Sequence, residues 1–292
     1  MPSARDTRNR IKGVESTRQI TRAMQLVATS KMNRAQGAVR ATRPYADKIS
    51  EVLRHLANAL PSEEGLHPLF ETRRERNVAL VVLSTNRGLC GALNTNVARR
   101  ALEFAEEAGA GEEESEMSMV GVGKVGIRML GRSLPVVASF LEVPDRPRIT
   151  DVMPIARLVV DGFESREFDA VHVVYPKFVN TLTQRPEHVQ LLPVKRPEAL
   201  EAGERRPDYI YEPNAETVLN MLLPRYVEMY LYRLVLETAA SEQSARMVAM
   251  RNATDNASDL IDELTLSYNR QRQASITNEM IDIAAGANAL AQ

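Results

Sequence analysis

Two short segments of the chain carry residue types that could do chemistry. The segment Gly121-Val-Gly-Lys-Val-Gly126 matches the GxGxxG spacing with which a strand–turn–helix unit binds the pyrophosphate of a dinucleotide. The segment Arg87-Gly-Leu-Cys-Gly91 places the chain's single thiol, Cys90, between a predicted strand and a predicted helix. A helix dipole or a nearby cation could activate a thiol in that position as a nucleophile.

Both segments also have a structural explanation, and we favour it. The acidic ribose ligand expected about twenty residues after a GxGxxG motif would have to be Glu142, at a different strand end, so close strand-to-helix packing explains the glycines better. The histidines, which could serve as a base for Cys90, stand singly at His55, His67, His172 and His188. Their spacing matches no metal-binding pattern, and no Walker-type phosphate loop is present. The residues therefore predict no catalytic constellation.

The elements that hold these motifs alternate between strand and helix. Strands are predicted at 77–84, 117–122, 136–140 and 170–175, and helices at 95–108 and 124–131 and from a cap at Thr150 to Glu164. This alternation predicts a Rossmann-like, mostly parallel α/β domain. The stretch from Leu182 to Tyr211 is rich in proline, and we expect it to be irregular.

Long heptad-patterned segments lie on both sides of this domain. Small or apolar residues recur at steps of three and four from Ile11 to Leu60 and from Leu236 to Tyr268. The pattern predicts a long antiparallel coiled coil of the N- and C-terminal helices, with the α/β domain inserted between them. We place the domain boundaries at 1–60, 61–213 and 214–292. Helices of roughly 80 and 100 Å, at 1.5 Å per residue, should project from the middle domain as a rod.

Three residues are expected to modify the two helices. Pro44 and Pro224 each remove a backbone donor and should kink or interrupt the helix that contains them. Gly286 is a candidate C-cap for the second helix.

The last turns of the C-terminal segment are apolar in nearly every helical direction. From residue 276 to residue 292 the formally charged side chains are Glu279 and Asp282. Because an all-round apolar helix is normally buried, we expect either a sleeve of partner protein or a fold-back onto the chain's own domain.

Composition narrows the class of partner. The chain has 292 residues and a formal net charge of −1, but its first sixty residues carry twelve Lys or Arg against four Asp or Glu. An acidic protein surface suits this basic helix better than nucleic acid, since the charges lie among seam residues without stacking aromatics. A single cysteine excludes an intrachain disulfide. No apolar run reaches the roughly eighteen residues of a membrane span, and no secretory signal is evident, so we expect a soluble, cytosol-facing protein.

The longest motifs resemble one family. The segment Ser241-Glu-Gln-Ser-Ala-Arg-Met247 with its continuation to Ala257, and the segment Tyr268-Asn-Arg-Gln-Arg-Gln-Ala-Ser-Ile-Thr-Asn-Glu279, closely resemble the γ subunit of F-type ATP synthases. The start, from Arg10 to Met32, and the Arg87 segment agree with it. Thr85-Asn86 stands where the family more often has Ser-Asp, and Asp282 stands where it usually has Glu.

The resemblance implies a central-stalk rotor that couples ion translocation to ATP synthesis or hydrolysis. Its partners would be three α and three β subunits, ε and the membrane c ring, with no nucleic acid, no membrane span, no cofactor, no metal and no catalytic residue of its own. It implies a location at the cytoplasmic face of a bacterial plasma membrane. Two alternatives stay open, an NAD-binding α/β enzyme and a coiled-coil tether.

The resemblance also implies two groups of contact residues. Met24 would lie near Arg246 and Gln273 where the helices meet. The residues implied to contact the β subunits or the shaft are Met24, Arg246, Arg272, Gln273, Thr277, Glu279 and Asp282. Tyr209 and Tyr211 would lie in the foot near the c ring and ε.

Overall fold

The computed structural model describes residues 4–59, 67–109, 115–196 and 209–290, with the side chains of 57–59 and 286–290 left out of the description. Contacts between α-carbons divide the chain into two compact units. The first unit contains Met1–Ala28 and Met247–Gln292, and the second contains Thr29–Arg246.

The helices and strands follow the predicted order closely. The helices are α1 (Ala4–Ala59), α2 (Leu93–Gly109), α3 (Lys124–Leu130), α4 (Ile149–Glu164) and α5 (Ala215–Leu290), with a short 3₁₀ helix at Pro68–Phe70. The strands are β1 (Asn77–Leu83), β2 (Glu116–Val122), β3 (Val136–Phe140), β4 (Ala170–Phe178) and β5 (Gln184–Leu192).

In the first unit, the start of α1 packs antiparallel against the part of α5 between Met250 and Gln271. Thr7 donates a hydrogen bond of 2.9 Å to Gln271, and the hydroxyl groups of Thr21 and Thr254 lie 2.8 Å apart. The seam between the helices buries small and apolar side chains at Ala28, Met250, Ala257 and Ile261. The predicted antiparallel pairing of the terminal helices is confirmed.

In the second unit, the described strands form a five-stranded sheet in the order β3-β2-β1-β4-β5. Strands β3, β2, β1 and β4 run parallel to one another, while the edge strand β5 pairs antiparallel with β4. The prediction of a mostly parallel sheet is therefore confirmed. The central strand β1 buries six consecutive residues after Asn77, as expected for a strand covered on both faces.

Each face of this sheet has its own core. One face packs against α4 and against parts of α1 and α5, and its fully buried residues include Leu53, Val81, Phe163 and Leu231. The other face packs against α2, with Leu80, Ala101 and Met119 at its centre. The terminal helices thus contribute to the core of the α/β unit as well as to the helix pair.

Several local predictions differ from the structure. The prolines Pro44 and Pro224 lie inside α1 and α5 and interrupt neither helix, while a kink at either proline stays a prediction. The C-cap predicted at Gly286 is wrong, because α5 continues through Gly286 to Leu290. The helix α4 begins before Thr150, with Arg148 at its N-cap, where the Arg148 backbone N–H donates to the carboxylate of Asp151.

Strand β5 falls within the stretch that was expected to be irregular. It is an edge strand, and an edge strand tolerates a residue such as Pro186 because one side of its backbone needs no partner. Its polar, half-exposed pattern also lacks the continuous apolar run that revealed the central strands.

Candidate protein interaction sites

The end of helix α5 carries most of the predicted contact residues. Every side chain from 272 to 285 is exposed, and this stretch includes Arg272, Gln273, Thr277, Glu279 and Asp282. Four large apolar side chains are exposed among them, at Ile276 (45%), Met280 (66%), Ile281 (59%) and Ile283 (72%). An exposed apolar surface of this kind marks a protein interaction site.

The polar residues of this stretch make only local bonds among the described residues. Thr277 donates to the backbone carbonyl of Gln273 at 2.9 Å, and Ser275 donates to the Glu279 carboxylate at 3.3 Å. Their remaining donors and acceptors point to solvent and are available to a partner.

The other two predicted shaft residues differ from each other in their surroundings. Met24 is half-buried on α1 in the first unit. Arg246 belongs to the second unit, where its guanidinium binds the Glu242 carboxylate at 2.7 Å and donates to the backbone carbonyl of Gly88 at 3.2 Å. Arg246 is therefore already satisfied within the chain, and the predicted proximity of Met24 to Arg246 and Gln273 stays a prediction.

The ion pair of Arg246 is largely removed from water. The Glu242 and Arg246 side chains are 14% and 12% exposed. Burial raises the pKa of the Glu242 carboxyl, and the positive charge of Arg246 opposes that rise. Truncating either partner would leave an unpaired buried charge, which costs more than losing an exposed pair.

The predicted foot residues form an aromatic cluster with α1. The ring of Tyr209 lies 5.3 Å from His55 and 6.2 Å from Tyr211, and the Tyr209 hydroxyl donates to Glu51 at 3.3 Å. Between the two tyrosines, Ile210 is 89% exposed. The cluster fixes the tyrosine rings against α1 and leaves an apolar side chain free to contact a partner.

The GxGxxG segment packs tightly against strand β1. A Cβ atom at Gly123, whose φ is +89°, would lie 2.3 Å from the backbone oxygen of Ser84, and one at Gly126 would lie 2.6 Å from the Ser84 hydroxyl. The Gly126 N–H donates to that hydroxyl at 2.9 Å. Close strand-to-helix packing therefore accounts for these glycines, as the sequence analysis predicted.

The thiol of Cys90 lies in the interior. It is 2% exposed and accepts a hydrogen bond of 3.2 Å from the Asn94 amide. Burial raises the pKa of the Cys90 thiol, with Arg246 acting in the opposite direction. The interpretation of Cys90 as a buried structural thiol is confirmed. Among the described residues, no three His, Cys, Asp or Glu side chains are grouped so as to hold a metal ion.

Sequence reasoning missed one bridging side chain, Asn86. Its amide donates to the backbone carbonyl of Val143 at 2.9 Å and its carbonyl accepts from the backbone N–H of Lys124 at 3.2 Å. Asn86 stood out in the sequence only as a departure from the family pattern. The structure shows that it joins three loops at the carboxyl edge of the sheet.

Known proteins match this chain along its whole length. The family model described as ATP synthase matches residues 3–290. The ATP synthase gamma chain of Roseiflexus castenholzii is 49% identical over 295 residues, covering 100% of both chains. The ATP synthase gamma chain of Dehalococcoides mccartyi is 47% identical over 292 residues, again covering 100% of both. The chain belongs to the ATP synthase gamma chain family.

Solved structures agree with this assignment. A chain from the central stalk and c-ring structure of the Tetrahymena thermophila mitochondrial ATP synthase is 25% identical with a TM-score of 0.61, covering 80% of this gamma chain and 99% of that chain. A chain from the Euglena gracilis mitochondrial ATP synthase shares the fold at 18% identity with a TM-score of 0.68, covering 98% of this chain and 94% of that one. Within the described residues, no helix combines the length with the apolar character needed to cross a bilayer.

Proposed function

We propose that this gamma chain is the rotor of the ATP synthase central stalk. It would transmit torque between the membrane c ring and the catalytic hexamer of α and β subunits, coupling ion translocation to ATP synthesis or hydrolysis. The observation that carries the proposal is the exposed apolar end of α5 on a chain that matches gamma chains from end to end. A surface of this composition requires a protein cover.

The exposed end of α5 is assigned to the α and β subunits. A sleeve of three α and three β subunits would bury Ile276, Met280 and Ile283 and leave the polar side chains to make specific bonds. Arg272, Gln273, Thr277, Glu279 and Asp282 supply donors and acceptors there, and Met24 and Arg246 would act at the shaft. The assignment of the five α5 residues is supported by the exposure of their side chains in the structure.

The segment that carries Tyr209 and Tyr211, ahead of α5, is assigned to ε and the c ring. Tyr209 and Tyr211 would form the foot, because the Tyr209 ring packs against His55 of α1, the Tyr211 ring lies beside that of Tyr209, and Ile210 between them stays 89% exposed. An exposed apolar side chain on a fixed backbone can anchor a contact at small entropic cost.

A rotor of this kind acts by making equivalent sites unequal. Three identical β subunits can differ only if an asymmetric object lies at their common axis, and an unequal pair of helices is such an object. Shifting a two-state site from mostly one form to mostly the other takes about 5.5 kcal/mol of differential contact. Rotation would apply that difference to each β subunit in turn.

The proposal includes the role and place of the chain in the complex. We assign 1–60 and 214–292 to the helical shaft and 61–213 to the α/β domain. The chain would contribute no catalytic residue, bind no nucleotide and work at the cytoplasmic face of a bacterial plasma membrane. The glycine segment offers no support for the rival NAD-enzyme function, because Ser84 fills the space beside Gly123 and Gly126.

Reconstitution with α and β subunits tests the proposal. The full chain, mixed with purified α and β, should yield a complex that hydrolyses ATP and rotates a bead attached to the α/β domain. Truncation after Ser275 should weaken assembly, because it removes the exposed apolar end. A coiled-coil tether would tolerate the truncation. An NAD enzyme would bind NAD in a titration and would not assemble with α and β. Either result would refute the rotor proposal.

A further inference from the structure

Residues 141–148, between β3 and α4, form a connection that we call the bridging loop. It contains Pro144 and Pro147, whose rings fix the backbone φ angle and limit its flexibility. The Asn86 amide donates to the Val143 carbonyl at 2.9 Å, which ties the loop to the carboxyl end of β1. The loop is thus a stiff extension of the sheet.

The same loop binds both terminal helices. The Lys31 ammonium of α1 lies 2.5 Å from the Asp145 carboxylate, and the Tyr232 hydroxyl of α5 donates to the Pro147 carbonyl at 3.3 Å. Lys31 lowers the pKa of the Asp145 carboxyl through a hydrogen bond and its charge, with Arg87 and Arg246 acting in the same direction. Asp145 therefore stays ionised, and its bond to Lys31 persists at neutral pH.

A second polar link lies beside the first. Arg246 joins α5 to the Gly88 carbonyl in the loop after β1, at 3.2 Å. A cavity of about 40 Å³, with Asp145 and Glu242 among its lining residues, is the space left between the bridging loop and α5. The loop and the helix are therefore close enough for their charges to interact, and Asp145 raises the pKa of Glu242.

The position of these links along the chain gives them a mechanical meaning. Lys31 is the third residue of the second unit and Arg246 is its last. The links therefore lie where α1 and α5 pass from the α/β unit into the helix pair. Apolar contacts are non-directional and allow surfaces to slide, whereas hydrogen-bonded ion pairs hold one geometry.

We propose that the Lys31–Asp145 ion pair is a torque-bearing link between the shaft and the α/β domain, with Asp145 as its positioning residue. The inference rests on the rotor function proposed above. Torque on the helices would be resisted by the bridging loop instead of being lost as rotation of α1 over the sheet. Breaking the pair makes the rotor slip, so that ATP is hydrolysed without a matching displacement of ions.

The test uses the whole ATP synthase in inverted membrane vesicles. Lys31→Met and Asp145→Asn each remove the ion pair, and Lys31→Arg keeps a cation opposite Asp145. Arg34→Met is the matched control, because Arg34 is an exposed cation on the same helix, and its guanidinium donates at 2.8 Å to the hydroxyl of Ser30, which also lies on α1. The measurements are the ion gradient formed per ATP hydrolysed and the thermal stability of the complex.

Lys31→Met and Asp145→Asn should each lose part of the gradient formed per ATP while ATP hydrolysis continues, because α1 is no longer held to the bridging loop by a charge-assisted bond. Lys31→Arg should keep most of the wild-type gradient per ATP, and Arg34→Met should behave as wild type. Equal gradients in all variants, or a loss that follows thermal stability and is as large in Lys31→Arg as in Lys31→Met, would overturn the link.

Failure of the rotor function itself is distinguishable from failure of this inference. In that case the wild-type chain would not assemble with α and β or support a gradient at all. A coupled wild type with equally coupled variants refutes the torque-bearing link alone.

Discussion

The hydroxyl oxygens of Thr21 on α1 and Thr254 on α5 lie 2.8 Å apart, within hydrogen-bonding distance across the helix pair. Thr21 is 8% exposed, and each hydroxyl also lies within bonding distance of a carbonyl on its own helix, that of Arg18 or Met250. A buried polar pair in the seam favours one axial alignment of the helices, because sliding by one turn would separate the two hydroxyls.

Thr21→Val should destabilise the full-length chain by about 1 kcal/mol, since it removes one buried hydrogen bond and leaves Thr254 bonded only to its own helix. Thr17→Val is the control: Thr17 is exposed and bonds only the Gly13 carbonyl, so its replacement should have almost no effect. Urea unfolding followed by circular dichroism measures both. Equal effects of the two substitutions would show that the cross-helix bond is not a stabilising contact.

The buried imidazole of His172 predicts a loss of stability in acid. Burial, with His188 and Lys195, lowers the pKa of His172 from 6.5 to about 4. The folded state therefore binds the proton more weakly than the unfolded state does. The contribution of His172 to the free energy of unfolding is fully present above pH 6.5. It falls as the pH drops toward 4, by up to about 3 kcal/mol.

His172→Phe removes this titration and keeps a ring against Phe104, whose centroid lies 4.7 Å from that of His172. The difference in unfolding free energy between variant and wild type should rise as the pH is lowered from 7 to 4. Urea midpoints at a series of pH values give that difference. If it were constant, His172 would not be a source of the acid sensitivity.

In the turn between β2 and α3, the space beside Gly123 predicts a large loss of stability on addition of a methyl group. Gly123→Ala should destabilise the chain by about 2 to 4 kcal/mol, because Gly123 has a φ of +89° and a Cβ would lie 2.3 Å from the Ser84 oxygen. Gly88→Ala is the matched control, since nothing lies within 4 Å of its Cβ position. Melting temperatures compare the two, and similar values would refute the packing role of Gly123.

The basic surface of α1 predicts a salt-dependent assembly. Reversing the charges of Arg8, Arg10 and Arg18 together should slow association with the α and β subunits, with the defect largest at low ionic strength, where charges are least screened. Association rates at two salt concentrations measure this. Reversal of the exposed Arg128 and Arg132, near the end of α3, is the control. An unchanged rate for the α1 variant would exclude steering by this surface.

The central elements of the fold could be predicted because their signals are local. Strand β1 is a continuous apolar run, and the helix seam repeats at three- and four-residue steps from Ile11 onward, so both follow from the sequence. The uninterrupted path of α1 through Pro44 was not predictable in this way. Packing of residues such as Ile49 and Leu53 into the core offsets the loss of one backbone bond, and that packing depends on distant elements.

The sequence by itself determined the family, the paired terminal helices and the apolar character of the end of α5, because each depends on the order of side chains along the chain. Only the tertiary structure decided that Arg246 binds Glu242 and Gly88 within the chain, that Ser84 fills the space beside Gly123, and that Lys31 meets Asp145. The physical reason is distance along the chain. Lys31 and Asp145 are separated by 114 residues, and their contact exists only once the sheet and helices have packed.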